Sequence, residues 1–134
     1  MSVYAGLGKG LIIKSPFIDR IMEGQKTWEL RSKHTQVRGP IALIKQGTGT
    51  VVAVARLVDS KGPLTDADMA ANGHNHGVTP DRLTLPEVQK YRYAWVLAEV
   101  TRLARPVPYT HRSGAVVWAA LDDGVAGAVI NAAG

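Results

Sequence analysis

Cysteine is missing from this chain altogether. That excludes a disulfide framework and any thiolate nucleophile or thiolate metal site, and it fits a reducing, cytoplasmic setting. Aromatic residues are scarce, at 6%, with a single phenylalanine. So few rings cannot build a long stacking surface, and most of Trp28, Tyr93, Trp95, Tyr109 and Trp118 are expected in the core. Tyr93 and Tyr109 are the two expected to be exposed. No apolar run approaches the roughly 18 residues that a membrane-spanning helix needs. The first ten residues are glycine-rich and mixed, without the basic-then-apolar order of a secretory signal.

The 134 residues suit one domain, residues 1–134, with a single sizeable core. The net charge is +5 and the pI is near 9.7. Such a balance favours polyanions, nucleic acid or phosphate-bearing ligands, although a mildly basic surface can also serve solubility alone. The charge is uneven. Residues 9–45 carry eight Lys and Arg against three carboxylates, which equals the whole net charge. Residues 59–68 carry Asp59, Asp66 and Asp68 against Lys61.

Periodicity divides the chain into short elements. Residues 11–14 read as a buried strand. Ser15-Pro16 opens a short helix, with Ser15 as its cap, an apolar stripe of Phe17, Ile18, Ile21 and Met22, and Gly24 as its stop. The chain then enters the stretch Lys26-Thr27-Trp28-Glu29-Leu30-Arg31-Ser32. As a strand it would turn Thr27, Glu29 and Arg31 to one face and Trp28 and Leu30 to the other. Residues 41–45 and 51–59 are apolar strands joined through Gly47-Thr48-Gly49, a hairpin. Thr65 caps a helix that Asn72-Gly73 stops. Residues 73–77 are expected to be a solvated loop. Thr84 and Glu87 form a capping box for another short helix. Residues 93–103 and 114–121 read as strands, Pro106 and Pro108 as an extended link, and the Ala/Gly-rich tail after Gly124 as frayed. Strands outnumber helices, and the helices sit in connections. The pattern predicts an α+β fold: a small barrel of five or six mixed strands with short helical insertions.

Several residues carry chemistry at these positions. Lys26 is a phosphate ligand, a desolvated base or nucleophile of lowered pKa, or a plain surface lysine. Glu29 is a general acid/base, or an ion-pair partner of Arg31 or Lys26. Arg31 suits bidentate phosphate or carboxylate binding, or a structural salt bridge to Glu29. Lys14 and Ser15 lie where free backbone N–H groups favour an anion. Gly47 and Thr48 can bring backbone close to a phosphate, or simply turn a hairpin. His74-x-His76 has the spacing of half a metal site, but no third ligand is evident, so no metal site is expected.

The run Lys14-Ser15-Pro16, Ile18-Asp19-Arg20-Ile21, Gly24-Gln25-Lys26-Thr27-Trp28-Glu29-Leu30-Arg31, Arg38-Gly39-Pro40 and Gly47-Thr48-Gly49 resembles the ASCH domain family, a branch of the PUA-like fold. Tyr93-Ala94-Trp95 and Pro108-Tyr109-x-His111 extend the resemblance. It implies a β-barrel beside a cleft that accepts RNA, a nucleotide or a modified nucleoside. The expected site has a polar floor of Lys14, Ser15, Lys26, Glu29 and Arg31, walls of Tyr93, Tyr109 and His111, and further ligand contacts from Thr27, Ser32, Gly47 and Thr48. Family members include binders of nucleic acid, ribonucleases and amidohydrolases of acylated cytidine. The amidohydrolases have a threonine where this chain has Glu29 and an acid in the loop that here holds Asn72, His74, Asn75 and His76, so only Lys26 of their triad carries over. The leading expectation is a cytoplasmic RNA- or nucleotide-binding protein. The alternative is a hydrolase using Lys26 and Glu29. No cofactor is expected, except that a ribonuclease route could draw on a divalent metal. No membrane partner is expected, and the oligomeric state is open.

Overall fold

The computed structural model describes residues 3–134. Residues 1 and 2, part of the N-terminal stretch considered above for a secretory signal, lie outside them. Six strands form one mixed sheet: β1 (Lys9–Ile13), β2 (Trp28–Arg31), β3 (Gly39–Lys45), β4 (Thr50–Lys61), β5 (Tyr93–Pro108) and β6 (Trp118–Ala120). Their spatial order is β2-β5-β4-β3-β1-β6. β1 and β3 run parallel, and every other neighbouring pair is antiparallel. The helices are α1 (Phe17–Met22), α2 (Asp66–Ala71), α3 (Gly73–His76), α4 (Pro86–Gln89) and α5 (Asp123–Ala133), with a 3₁₀ turn at Pro80–Arg82. The expected α+β architecture, a PUA-like barrel with short helices in its connections, is the one observed. Among the described residues, no helix is long and apolar enough to cross a membrane.

The sheet curls into a half-barrel because β4 and β5 are long and repeatedly lose register. The pairing shifts between Val51 and Ala53, between Val54 and Arg56, and between Leu57 and Asp59. At the second of these, Glu99 and Val100 stand opposite the single residue Ala55, and Glu99 takes φ 52°. That extra residue is a bulge, which bends a strand and deepens its twist. Both faces of the sheet are covered, which explains the continuous apolar runs in β1 and β3. Leu11, Ile13, Ile41 and Leu43 face inward with Ile18 and Ile21 of α1, Leu57, Trp95 and Leu97. Ile12, Ala42 and Ile44 face the other way with Val51, Leu103, Val107 and Val129 of α5.

Four local expectations are corrected. The tail is not frayed. Asp122 accepts a hydrogen bond from the Val125 N–H and caps α5, whose Ala126, Val129 and Ala132 are buried. Ser15 does not cap α1, because Pro16 stands at that position and the Ser15 hydroxyl bonds the Asp19 carboxylate instead. Thr84 does not cap α4, whose N-cap position falls one residue later, at Leu85, with no side-chain cap. The strand expected at 114–121 is only β6, three residues long. The Thr65 cap of α2 does form, reciprocally with Asp68, and the β3–β4 hairpin forms as expected.

Candidate functional site

A cleft of about 440 Å³ opens beside the half-barrel, between α1, β2 and the connection that carries α3 and α4. Its floor is the Lys26, Glu29, Arg31 triplet. Gly24, with φ 80°, ends the turn after α1 and releases the chain toward β2. The segment just before β2 is tied on both sides. Thr27 N–H donates to the Asn75 carbonyl, and the Thr27 carbonyl accepts from Leu97.

Lys26 is buried, with 2% of its surface exposed. Its Nζ donates to the Trp28 carbonyl at 2.5 Å and the His76 carbonyl at 2.8 Å, and stands 3.6 Å from Glu29 Oε1. By strict strand alternation Lys26 would point away from Glu29. It precedes β2, however, and its long arm folds back across the strand start. Burial pushes the Lys26 ammonium below its usual range, and the Glu29 carboxylate opposes that shift. Glu29 is itself buried, and its Oε2 accepts from Arg31 Nη2 at 2.9 Å. Arg31 Nη2 also donates to the Ile12 carbonyl at 2.8 Å. That bond ties β2 to β1 across a gap that backbone pairing leaves open. The guanidinium lies 5.5 Å from the Trp95 ring centroid, and its Nε is buried without a partner.

The expected solvated loop at 73–77 is corrected. It is the helical turn α3, closed by Gly77 in the left-handed region at φ 74°. His76 is fully buried. Its Nε2–H donates to the Met69 carbonyl at 2.7 Å, and its Nδ1 accepts from the Val78 N–H at 3.0 Å. Those two bonds fix the neutral tautomer, and burial lowers the imidazole pKa. His76 therefore holds the cleft wall. Among the described residues no group of three or more His, Cys, Asp or Glu could hold a metal ion.

The cleft brings together Lys14, Lys26, Glu29 and Arg31 of the expected site residues. The others lie elsewhere. Ser15 is engaged with Asp19. The Thr27 hydroxyl donates to Asn75 Oδ1 at 3.3 Å. Ser32 is exposed beyond the end of β2. Gly47 and Thr48 form the hairpin turn, with the Thr48 hydroxyl on the Lys45 carbonyl at 2.7 Å. Tyr93 packs edge-on against His34. Tyr109 and His111 bond each other at 2.7 Å near the far end of β5. None of these lines the cleft, so the expected aromatic walls are corrected. The rings that do line it are Phe17, which has Lys14 and Lys26 within 6 Å of its centroid, and Tyr91. Arg82, Glu87 and Lys90 complete the rim. Sequence reasoning passed over them by treating Phe17 as core and residues 84–90 as only a capped helix. The clue was the density of charged and aromatic residues from Asp81 to Arg92.

A model of the ASCH domain family matches residues 11–107, most of the chain. The chain belongs to the ASCH domain family. ASCH from Zymomonas mobilis has the same fold: TM-score 0.68 and 13% identity, over 92% of this chain and 93% of that one. A Tyr-to-Phe mutant of that protein aligns with TM-score 0.69, and a Ser-to-Ala mutant with 0.65. Both are again 13% identical over 92% of this chain, covering 96% and 94% of theirs. At that identity the likeness concerns the fold. No curated protein matches this ASCH sequence.

Proposed function

We propose that this ASCH protein binds RNA or a nucleotide, seating one nucleotide in the cleft with the flanking phosphates on its rim. One observation carries the reading: the cleft lining has five cations, Lys14, Lys26, Arg31, Arg82 and Lys90, against two carboxylates, and two aromatic rings. Its volume falls in the range of small-ligand sites. Lys14, Arg82 and Lys90 are exposed and suit phosphate contacts, which give affinity without sequence preference. A single-stranded ligand is favoured, because an unpaired base can leave its stack and enter a cleft. The lack of cysteine is compatible with work in the cytoplasm. Titration of a labelled short single-stranded RNA tests this. Binding that weakens as salt rises is expected, through counterion release. No binding at low salt, or binding indifferent to salt, contradicts it.

The hydrolase reading has one observation in its favour, a buried lysine of lowered pKa beside a carboxylate. Against it, Lys26 Nζ donates to two carbonyls and stands 3.6 Å from the Glu29 carboxylate, partners that favour the ammonium form, which has no lone pair for attack. Incubation with acylated cytidine and with RNA discriminates. Product formed by the wild type and lost in a Lys26→Ala protein that circular dichroism shows to be folded supports catalysis through Lys26. Product that survives the substitution removes Lys26 from the chemistry.

A further inference from the structure

The cleft floor holds one acidic side chain, and its surroundings leave part of it unused. A carboxylate offers about four acceptor positions. Arg31 takes one on Oε2 at 2.9 Å, and Lys26 faces Oε1 at 3.6 Å. Glu29 nevertheless lines the cleft, while the other carboxylate of the lining, Glu87, is exposed at the rim. A deep cationic site built for phosphate alone has no use for an acceptor on its floor. Side by side, the Glu29 carboxylate and the Arg31 guanidinium form an acceptor next to a donor. Resting on the reading that the cleft seats a nucleotide, we infer that it selects guanine, with Glu29 accepting from the base edge.

The bases differ at that edge. Guanine presents N1–H and the 2-amino group as adjacent donors beside the O6 acceptor. The two carboxylate oxygens can take both donors, and a neighbouring cation can meet O6. Uracil has one N–H between two carbonyls, so its oxygens would face the carboxylate. Adenine and cytosine each offer one amino group beside a ring nitrogen acceptor and can satisfy only one carboxylate oxygen. Phe17 and Tyr91 give the base apolar surface, which every base can use and which therefore does not discriminate.

The test uses the intact protein and three otherwise identical oligouridine strands. One carries a single central guanosine, one an inosine, which lacks only the 2-amino group, and one a uridine. Guanosine is expected to bind about tenfold more tightly than inosine, the size of effect a bidentate base contact gives, and uridine no better than inosine. Glu29→Gln offers a single carbonyl oxygen and is expected to close the gap between guanosine and inosine. Equal affinity for all three strands overturns the inference, leaves RNA binding standing and reduces Glu29 to a counter-charge for Lys26 and Arg31. Failure of all three to bind at low salt overturns the binding reading itself. The wild-type comparison decides even if the Glu29 variant does not fold.

Discussion

Lys26 and His76 are where burial and charge meet, and each makes a separate demand on the fold. Removing the ammonium by Lys26→Met would leave the Trp28 and His76 carbonyls unpaired and Glu29 with Arg31 alone. A loss of about 3 kcal/mol is expected in denaturant unfolding, since an orphaned buried group costs more than the bond it made is worth. A cost near zero would mean that Lys26 is not held as described. His76 predicts a pH dependence. Its folded pKa lies below the usual 6.5, so as pH falls beneath 6.5 the unfolded chain takes up a proton that the folded protein refuses. The share of stability that His76 governs is therefore complete above about 6.5 and declines toward the lowered value. The two carboxylates with depressed pKa, Asp19 and Asp68, exert their effect only at and below 3.8, outside that window. Unfolding free energies at pH 7 and pH 5 should differ in the wild type and differ less in His76→Gln. Lys26 was legible only as one of several alternatives, a phosphate ligand, a desolvated base or nucleophile, or a surface residue, and its two carbonyl partners were not. His76 was not legible: it sat among glycine and asparagine, the composition of a loop, because a tertiary bond to Met69 carries no local signature.

Most elements with strong local signals were legible, although the Ser15 and Thr84 caps did not form, and elements fixed by contacts were not. The β3–β4 hairpin, the Thr65 cap and the Gly24 stop each follow from backbone chemistry within a few residues. α5 was missed because alanine and glycine dominate its sequence and suggested fraying. Its spacing of Ala126, Val129 and Ala132 becomes meaningful only against the outer face of the sheet. The start of that helix rests on Asp122, so Asp122→Ala should lower stability by about 1 kcal/mol while Asp122→Asn retains most of it. Thermal melts of the two variants check this, and equal melting temperatures would contradict the capping role. The signature strand forms, but over Trp28–Arg31 rather than from Lys26 to Ser32, and the side chains were assigned by alternation alone. Lys26 escaped that rule by preceding β2.

At the scale of the whole molecule, the half-barrel and its inserted helices leave a basic hollow, and three of the four expected residues that meet there, Lys26, Glu29 and Arg31, came from the most specific part of the sequence signature. Phe17 was passed over nearby, while Arg82, Lys90 and Tyr91 come from a connection some 50 residues later, which only the fold brings alongside. Tyr109 and His111 went the other way, carried by β5 to a different part of the surface. Two regions of the surface can therefore be compared for ligand contact within one experiment. The most direct test is backbone amide NMR during titration with a short single-stranded RNA at low salt. Shift changes concentrated at Phe17, residues 28–31 and Tyr91 are the predicted result. Changes confined to Tyr109, His111 and their neighbours, with the cleft amides unmoved, would contradict it.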